Sequence, residues 1–387
     1  MSDDPRPRSG LRRILLLGST GSIGLQTLEI VRAHADRLQI VGLAAGSNAR
    51  RLAEQAAELD VEMVGLADAE AAVGLAGGPW QVFEGTDGIC SLVEACRPDL
   101  VVGAVSGVAG LRPLLVALEA GVDCALANKE PLVAAGEIVT ETARRSGAKL
   151  LPIDSELSAI FQCLRGERAS EVEKILLTAS GGPFAKLSAD ELAQVTAEQA
   201  LAHPTWQMGR KVTIDSATLA NKGFEVFETI WLFGVQPRQV EVVIHHQSII
   251  HSLVQFRDSS VIAQLGLPDM RTPIQFALLY PDRAPNDLPR LSLPQAGSLT
   301  FAEPDPERFP CLRLAFEAAR AGDSYPAVLN GADEVAVTEF LAGRIGFMQI
   351  PELIEQALVE HEPFPVDRLA DVDRADGWAR EFVAGRV

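Results

Sequence analysis

The chain has 387 residues, enough for two or three domains, and 47% hydrophobic content with only 5% aromatic residues gives it sizeable aliphatic cores. A formal net charge of -18 argues against a nucleic-acid surface or an anionic-membrane surface, so an anionic ligand needs a local basic or dipolar pocket. Cys90, Cys96, Cys124, Cys163 and Cys311 form no CxxC pair and read as buried thiols in a reducing compartment, the cytoplasm.

Residues 1–10 look like a disordered leader. The first apolar run, 14–17, is too short for a signal peptide or a membrane span. From 11 to 153, short apolar runs at 14–17, 39–45, 62–66, 81–83, 100–103, 123–127 and 149–151 alternate with helical patterns. Repeated strand–helix units of this kind predict a parallel sheet covered on both faces. The texture changes after 154. Helices are predicted over 156–165 and 216–233, and strands near 174–177, 239–244 and 249–256. The turn Arg257-Asp258-Ser259-Ser260 leads into 261–265 as a hairpin. This is an α+β pattern with an antiparallel or mixed sheet, and an exposed strand of it could pair with a second copy of the chain. Residues 281–309, rich in Pro and Asp, read as a linker. Helical periodicity then runs over 311–321, 327–341, 351–360 and 366–384. The predicted organisation is α/β overall: 1–153 a Rossmann-like nucleotide domain, 154–280 an α+β catalytic and dimerisation domain, 281–309 a linker, and 310–387 a small helical domain.

Gly18-Ser19-Thr20-Gly21-Ser22-Ile23-Gly24 follows the first strand and opens a helix. Its glycines allow a tight turn and close approach of phosphate oxygens to backbone N–H groups, and Thr20 and Ser22 add hydroxyl donors. A plain strand–helix turn is the competing reading. After the second strand an NAD site places an acidic residue on the ribose. This chain has Ala45-Gly46-Ser47-Asn48-Ala49-Arg50-Arg51 there, and small donors followed by arginines suit the 2′-phosphate of NADPH. Gly103-Ala104-Val105-Ser106-Gly107 could run under the cofactor. Ala127-Asn128-Lys129-Glu130 ends the next strand, where Lys129 could meet substrate or nicotinamide, or simply pair with Glu130 or a neighbour.

Asp154 and Glu156, two residues apart, share a side while the chain is extended. With Glu225 they would supply three hard oxygen ligands suited to Mg2+ or Mn2+, although Asp154 or Ser155 could equally be an ordinary helix cap. Thr178-Ala179-Ser180-Gly181-Gly182-Pro183-Phe184 can offer N–H groups and the Ser180 hydroxyl to an anion, or be a plain turn. His203-Pro204-Thr205-Trp206-Gln207-Met208-Gly209-Arg210-Lys211 could close over a ligand and exclude water, with a structural loop anchored by Trp206 as the alternative. Asp215-Ser216-Ala217-Thr218-Leu219-Ala220-Asn221-Lys222-Gly223-Phe224-Glu225 is read as the start of one helix. Ser216, Lys222 and the free N–H groups there make an anion site, Asn221 and Glu225 share a face, and Leu219, Phe224, Phe227, Ile230 and Trp231 anchor the other side. A plain N-cap at Asp215 or Ser216 followed by a solvated face is the bland alternative. His245, His246 and His251 lack zinc-motif spacing, and His34 and His361 look like surface residues.

Taken in order, GSTGSIG, AAGSN, ALANKE, PIDSE, ASGGPF and HPTWQMGRKVTIDSATLANKGFE resemble the 1-deoxy-D-xylulose 5-phosphate reductoisomerase family over nearly the whole chain. The resemblance implies a V-shaped homodimer, NADPH, and Mg2+, Mn2+ or Co2+ held by Asp154, Glu156 and Glu225. It implies a substrate phosphate on Ser180, Ser216, Asn221 and Lys222, further substrate contacts from Ser155 and His203, and Lys129 near substrate and nicotinamide. Trp206 and Met208 would belong to a lid. Thr20, Gly21, Ser22, Ile23, Gly46, Ser47 and Asn48 would serve NADPH, the role of Ser47 being the least fixed because that position varies in the family; Asn128, Glu130 and Gly209 are counted with them. The implied reaction rearranges 1-deoxy-D-xylulose 5-phosphate and reduces the product aldehyde to 2-C-methyl-D-erythritol 4-phosphate, in the non-mevalonate isoprenoid pathway. The rearrangement could be a retro-aldol and aldol sequence or a ketol shift. Two rivals are a metal-independent reductase of a simpler phosphorylated carbonyl, and a sensor that binds NADPH without turnover.

Overall fold

In the N-terminal half every predicted strand forms. In this computed structural model, which describes residues 10–202 and 208–387, they are β1 (Arg12–Leu17), β2 (Leu38–Ala45), β3 (Met63–Leu66), β4 (Gln81–Glu84), β5 (Leu100–Gly103), β6 (Asp123–Leu126) and β7 (Leu150–Pro152). All pair in parallel, in the order β4-β3-β2-β1-β5-β6-β7. Helices cover both faces, so the central strand is buried on both sides: Ile14, Leu15 and Leu16 have no exposed surface. Burying each such side chain is worth about 1.5–3 kcal/mol. Strand order reverses between β1 and β5, which opens a crevice beyond their carboxyl ends.

The chain divides into two compact units. The first comprises residues 1–131, 139–158 and 269–287, and the second comprises 132–138, 159–268 and 288–387. The boundaries read from sequence therefore differ at 269–287, which packs with the parallel sheet. The reason is a helix, Arg271–Leu279, that hydrophobic patterning did not reveal. Arg12 on β1 donates from Nη1 to the Leu278 carbonyl at 2.8 Å near that helix's C-terminal end, and His34 lies 3.2 Å from Gln275. Cationic donors are favoured at a helix C-terminus because the dipole is negative there.

In the second unit, β8 (Val172–Ala179), β9 (Val240–Ile244), β10 (Ile250–Phe256) and β11 (Val261–Leu265) form a mixed sheet in the order β11-β10-β8-β9. The predicted hairpin is present as the antiparallel pair β10–β11. The edge of β9 carries an antiparallel bridge from Ala302 to Ile244, so part of the proposed linker is engaged, and Leu293–Ala296 within it is a helical turn. The C-terminal helices are Pro310–Ala321, Tyr325–Leu341, Gln349–Glu360 and Leu369–Ala384. The helix Ala220–Phe233 packs on the first of them so closely that a Cβ on Gly223 would stand 2.5 Å from the Ala315 methyl.

Two sequence-level readings need correction. The segment 216–233 is not one helix. Arg210–Thr218 ends at Leu219, whose φ of +61° breaks it, and a second helix begins at Ala220. His34 and His361 are buried, not surface residues, because each imidazole has a polar partner inside, Gln275 and Ser324. Cys90 is half-buried while the other four thiols are buried, and all five are free.

Candidate active site

The candidate cofactor residues of the glycine turn and of the strand ends lie in the first unit. Gly18 has φ +90° and sits where a Cβ would meet the Ala104 carbonyl oxygen at 2.2 Å, so the turn needs glycine. The helix Ser22–Ala33 starts at Gly21, shortly after β1, with no side-chain cap hydrogen bond, and the start of a helix favours an anion. Thr20 and Ile23 are half-buried there, and Gly21 and Ser22 are exposed. Beyond β2, Gly46, Ser47 and Asn48 are exposed. Asn48 accepts from the Arg51 N–H at 3.1 Å and so caps the next helix, while the Arg50 side chain reaches solvent beside Glu54.

Beyond β6, Asn128, Lys129 and Glu130 are all buried. Asn128 donates at 2.9 Å to both the Gly107 carbonyl and the Glu130 carboxylate, which ties the loop after β5 to the loop after β6. Lys129 has a neighbour of its own besides the adjacent Glu130. Its ammonium donates to Asp154 at the end of the neighbouring strand β7, at 2.6 Å. Ser155 donates to Glu156 at 2.5 Å, at the start of the helix Ser155–Cys163. Lys129, Asp154, Ser155 and Glu156 thus stand together at the carboxyl ends of adjacent parallel strands, where ligands bind in such sheets.

The candidate anion-binding residues lie in the second unit. Ser180 follows β8, and Gly181 and Gly182 both have positive φ, +85° and +68°. A Cβ on Gly182 would stand 2.7 Å from the Ser216 carbonyl oxygen, so the Ser180 loop lies against the backbone of Ser216. The Gly182 N–H donates to Ser180 Oγ at 3.3 Å, and His246 Nδ1 lies 2.7 Å from the Ser180 carbonyl. Ser216 is in the last turn of Arg210–Thr218, not at a helix start as read from the sequence, and the left-handed Leu219 turns the chain into Asn221 and Lys222. Asn221 donates to Glu225 at 2.6 Å, and the Lys222 ammonium is bound to the other oxygen of the same carboxylate. Lys222 and Glu225 are buried, so the face is not the solvated one that spacing alone also allowed. Gly209 caps Arg210–Thr218 and Met208 is half-buried. His203 and Trp206 lie outside the described residues.

Lys211 was not singled out by sequence, although its spacing to Asp215 was visible. Its ammonium bridges Asp215 and Asp333, at 2.7 Å from each, and the buried Asp333 comes from more than a hundred residues away.

A doubly wound sheet with a glycine-bounded helix start, and a second unit in which a buried ammonium and a half-buried amide hold a buried carboxylate, define the class: dinucleotide-dependent α/β enzymes that act on an anionic substrate. Three family models narrow it. That of 1-deoxy-D-xylulose 5-phosphate reductoisomerase matches residues 14–136, and its C-terminal domain models match 150–233 and 265–382. The 1-deoxy-D-xylulose 5-phosphate reductoisomerase of Chlorobium chlorochromatii (strain CaD3) is 52% identical over 376 residues, covering 96% of this chain and 98% of that protein. A solved DOX-P reductoisomerase in complex with NADPH, fosmidomycin and magnesium superposes with a TM-score of 0.92 at 38% identity, covering 97% of this chain and 98% of that one. The Zymomonas mobilis enzyme in complex with NADPH gives 0.90 at 39% identity, with 97% and 99% coverage. The chain belongs to the 1-deoxy-D-xylulose 5-phosphate reductoisomerase family.

Proposed function

We propose that this chain converts 1-deoxy-D-xylulose 5-phosphate to 2-C-methyl-D-erythritol 4-phosphate with NADPH and a divalent metal, within the non-mevalonate isoprenoid pathway. The observation that carries the reading is the burial of Lys129, Lys222 and Glu225, with Asp154 nearly so. Ionised groups are costly to bury without a purpose, and they cluster at reacting sites.

Asp154, Glu156 and Glu225 are the proposed metal ligands, a hard oxygen set that suits Mg2+ or Mn2+, and Co2+ as a further candidate. Their environment fits a cation. Asp154 already accepts from an ammonium, and Glu225 accepts from an ammonium and an amide, so each site tolerates positive charge against it. When bound, the metal supplies Lewis acidity that polarises the ketone and neighbouring hydroxyl oxygens.

Ser180, Ser216, Asn221 and Lys222 hold the substrate phosphate, with Ser155 and His203 as further substrate contacts and Trp206 and Met208 in a covering segment. That grip supplies binding energy remote from the reacting carbons and keeps the substrate placed while its skeleton rearranges. Lys129, held by Asp154, presents an ammonium beside the substrate and nicotinamide. Thr20, Gly21, Ser22 and Ile23 receive the NADPH pyrophosphate. Gly46, Ser47, Asn48, Arg50 and Arg51 face its adenosine end, and Asn128, Glu130 and Gly209 complete the contacts. NADPH supplies the hydride that reduces the rearranged aldehyde.

Among the described residues no helix is long and apolar enough to cross a membrane, and five free cysteines favour the cytoplasm. The edge strand β11 exposes Val261, Ile262 and Leu265, which suits pairing with a second copy into a homodimer.

The test follows NADPH absorbance with 1-deoxy-D-xylulose 5-phosphate, with and without Mn2+, and with a chelator as control. Metal-dependent oxidation is expected. Oxidation that persists in chelator, or none despite NADPH binding, overturns the assignment.

A further inference from the structure

Resting on that reading, we propose that Asp333 is a positioning residue for the phosphate site, acting through Lys211 and Asp215 on the helix that carries Ser216. Asp333 lies on the helix Tyr325–Leu341 and has no exposed surface. It accepts from Lys211 Nζ at 2.7 Å, and the same ammonium donates to Asp215 at 2.7 Å. Asp215 is buried and directly precedes Ser216. Lys211 also stands 4.9 Å from the centre of the Phe224 ring, on the helix of Asn221 and Lys222. One ammonium therefore contacts both helices of the anion end and pins them to the C-terminal helices.

The junction between those helices is fixed from the same side. Thr218 donates to the Ile214 carbonyl and accepts from the Ala220 N–H at 3.3 Å, and it interacts with the buried Cys311 thiol. Leu219 between them holds φ +61°. Ser216 and Lys222 sit on either side of that turn, so their separation depends on its geometry. Two carboxylates on one ammonium are more than helix packing requires, since an apolar contact would seat the helix as well. They fix its rotation and axial position through directional, charge-assisted bonds.

The test compares wild type with Asp333→Asn, an isosteric change that removes charge, and with Asp333→Glu, which restores it. Three quantities are read: KM for 1-deoxy-D-xylulose 5-phosphate, KM for NADPH, and the Kd of inorganic phosphate by calorimetry. Asp333→Asn is expected to raise the sugar-phosphate KM and the phosphate Kd together by about tenfold or more, a loss in ground-state binding. NADPH KM stays within about twofold, and Asp333→Glu recovers part of the loss. A phosphate Kd unchanged in Asp333→Asn overturns the proposal, as does a loss confined to kcat or to the fraction of folded protein. If Asp333→Asn fails to fold, Asp333→Ser, which also removes the carboxylate that Lys211 binds, is titrated in its place, and a wild-type phosphate Kd in it is the overturning result. If wild type does not turn over the sugar phosphate, the functional reading has failed, and the phosphate titrations still judge the positioning role.

Discussion

The Lys222 ammonium is bound to the Glu225 carboxylate one turn later in the same helix, with both groups buried. A proposed phosphate donor and a proposed metal ligand thus hold each other, and Asn221 adds a second donor to the same carboxylate. Losing one member of a buried pair costs about 3–5 kcal/mol because the other charge stays behind.

Lys222→Ala should therefore act twice. KM for the sugar phosphate rises by about 10–100-fold, the scale of a lost hydrogen bond to a charged group. Tm falls as well, since Glu225 keeps Asn221 but loses its counter-charge. Steady-state kinetics with thermal melts checks both. A variant whose kcat alone drops would count against a ground-state phosphate contact.

Glu225→Gln keeps the size and the contact with Asn221 but removes the charge. Apparent metal affinity should fall by at least about 10–100-fold, the range seen when even supporting groups around a metal are lost. Activity in metal-limited buffer falls with it, while circular dichroism remains that of wild type. Normal turnover at limiting Mn2+ would remove Glu225 from the ligand set.

The parallel sheet was legible because its strands are short apolar runs at regular intervals, and β5, for example, falls at the residues its pattern marks. The candidate residues Asn221, Lys222 and Glu225 were legible because helical spacing places them on one face. The break at Leu219 was not, since leucine carries no signal for a positive φ and Gly223 nearby is helical. Burial of Lys222 was equally hidden, because its helix packs on Pro310–Ala321, which is distant in sequence. The helix Arg271–Leu279 was missed, although Pro273 stands in its first turn, where proline is tolerated. The Lys211–Asp333 contact had no local trace at all.

Gly18→Ala should separate cofactor binding from the anion end. The new methyl meets the Ala104 carbonyl and forces a left-handed backbone on alanine, a strain of about 1–3 kcal/mol. NADPH affinity falls and Tm drops, while inorganic phosphate binds as in wild type. Isothermal titration of each ligand checks this. Wild-type NADPH affinity in the variant would mean the turn does not bear the cofactor.

Ile262→Lys tests the proposed dimer. Ile262 is among the exposed apolar residues of β11, and lysines are how natural edge strands avoid pairing. Sedimentation equilibrium should show a wild-type dimer and a variant shifted toward monomer. A monomeric wild type would sink the edge-pairing idea.

His361 gives the chain an acid sensitivity. Its ring is buried against Tyr325, Phe364 and Trp378, and its Nε2 lies 2.7 Å from Ser324 Oγ. Burial pushes its pKa below the usual imidazole value, Arg374 adds to that, and Glu362 opposes it. The folded state therefore binds the proton less readily than the unfolded state. The sign follows from proton linkage: this contribution is fully present above about pH 6.5 and is lost as pH falls through the lower folded value. Thermal melts from about pH 7 to about pH 5 should show Tm falling, more steeply in wild type than in His361→Gln, which cannot titrate. Parallel slopes for the two proteins would place the acid sensitivity elsewhere. The readout needs no ligand, so it stands whatever the catalytic assays show.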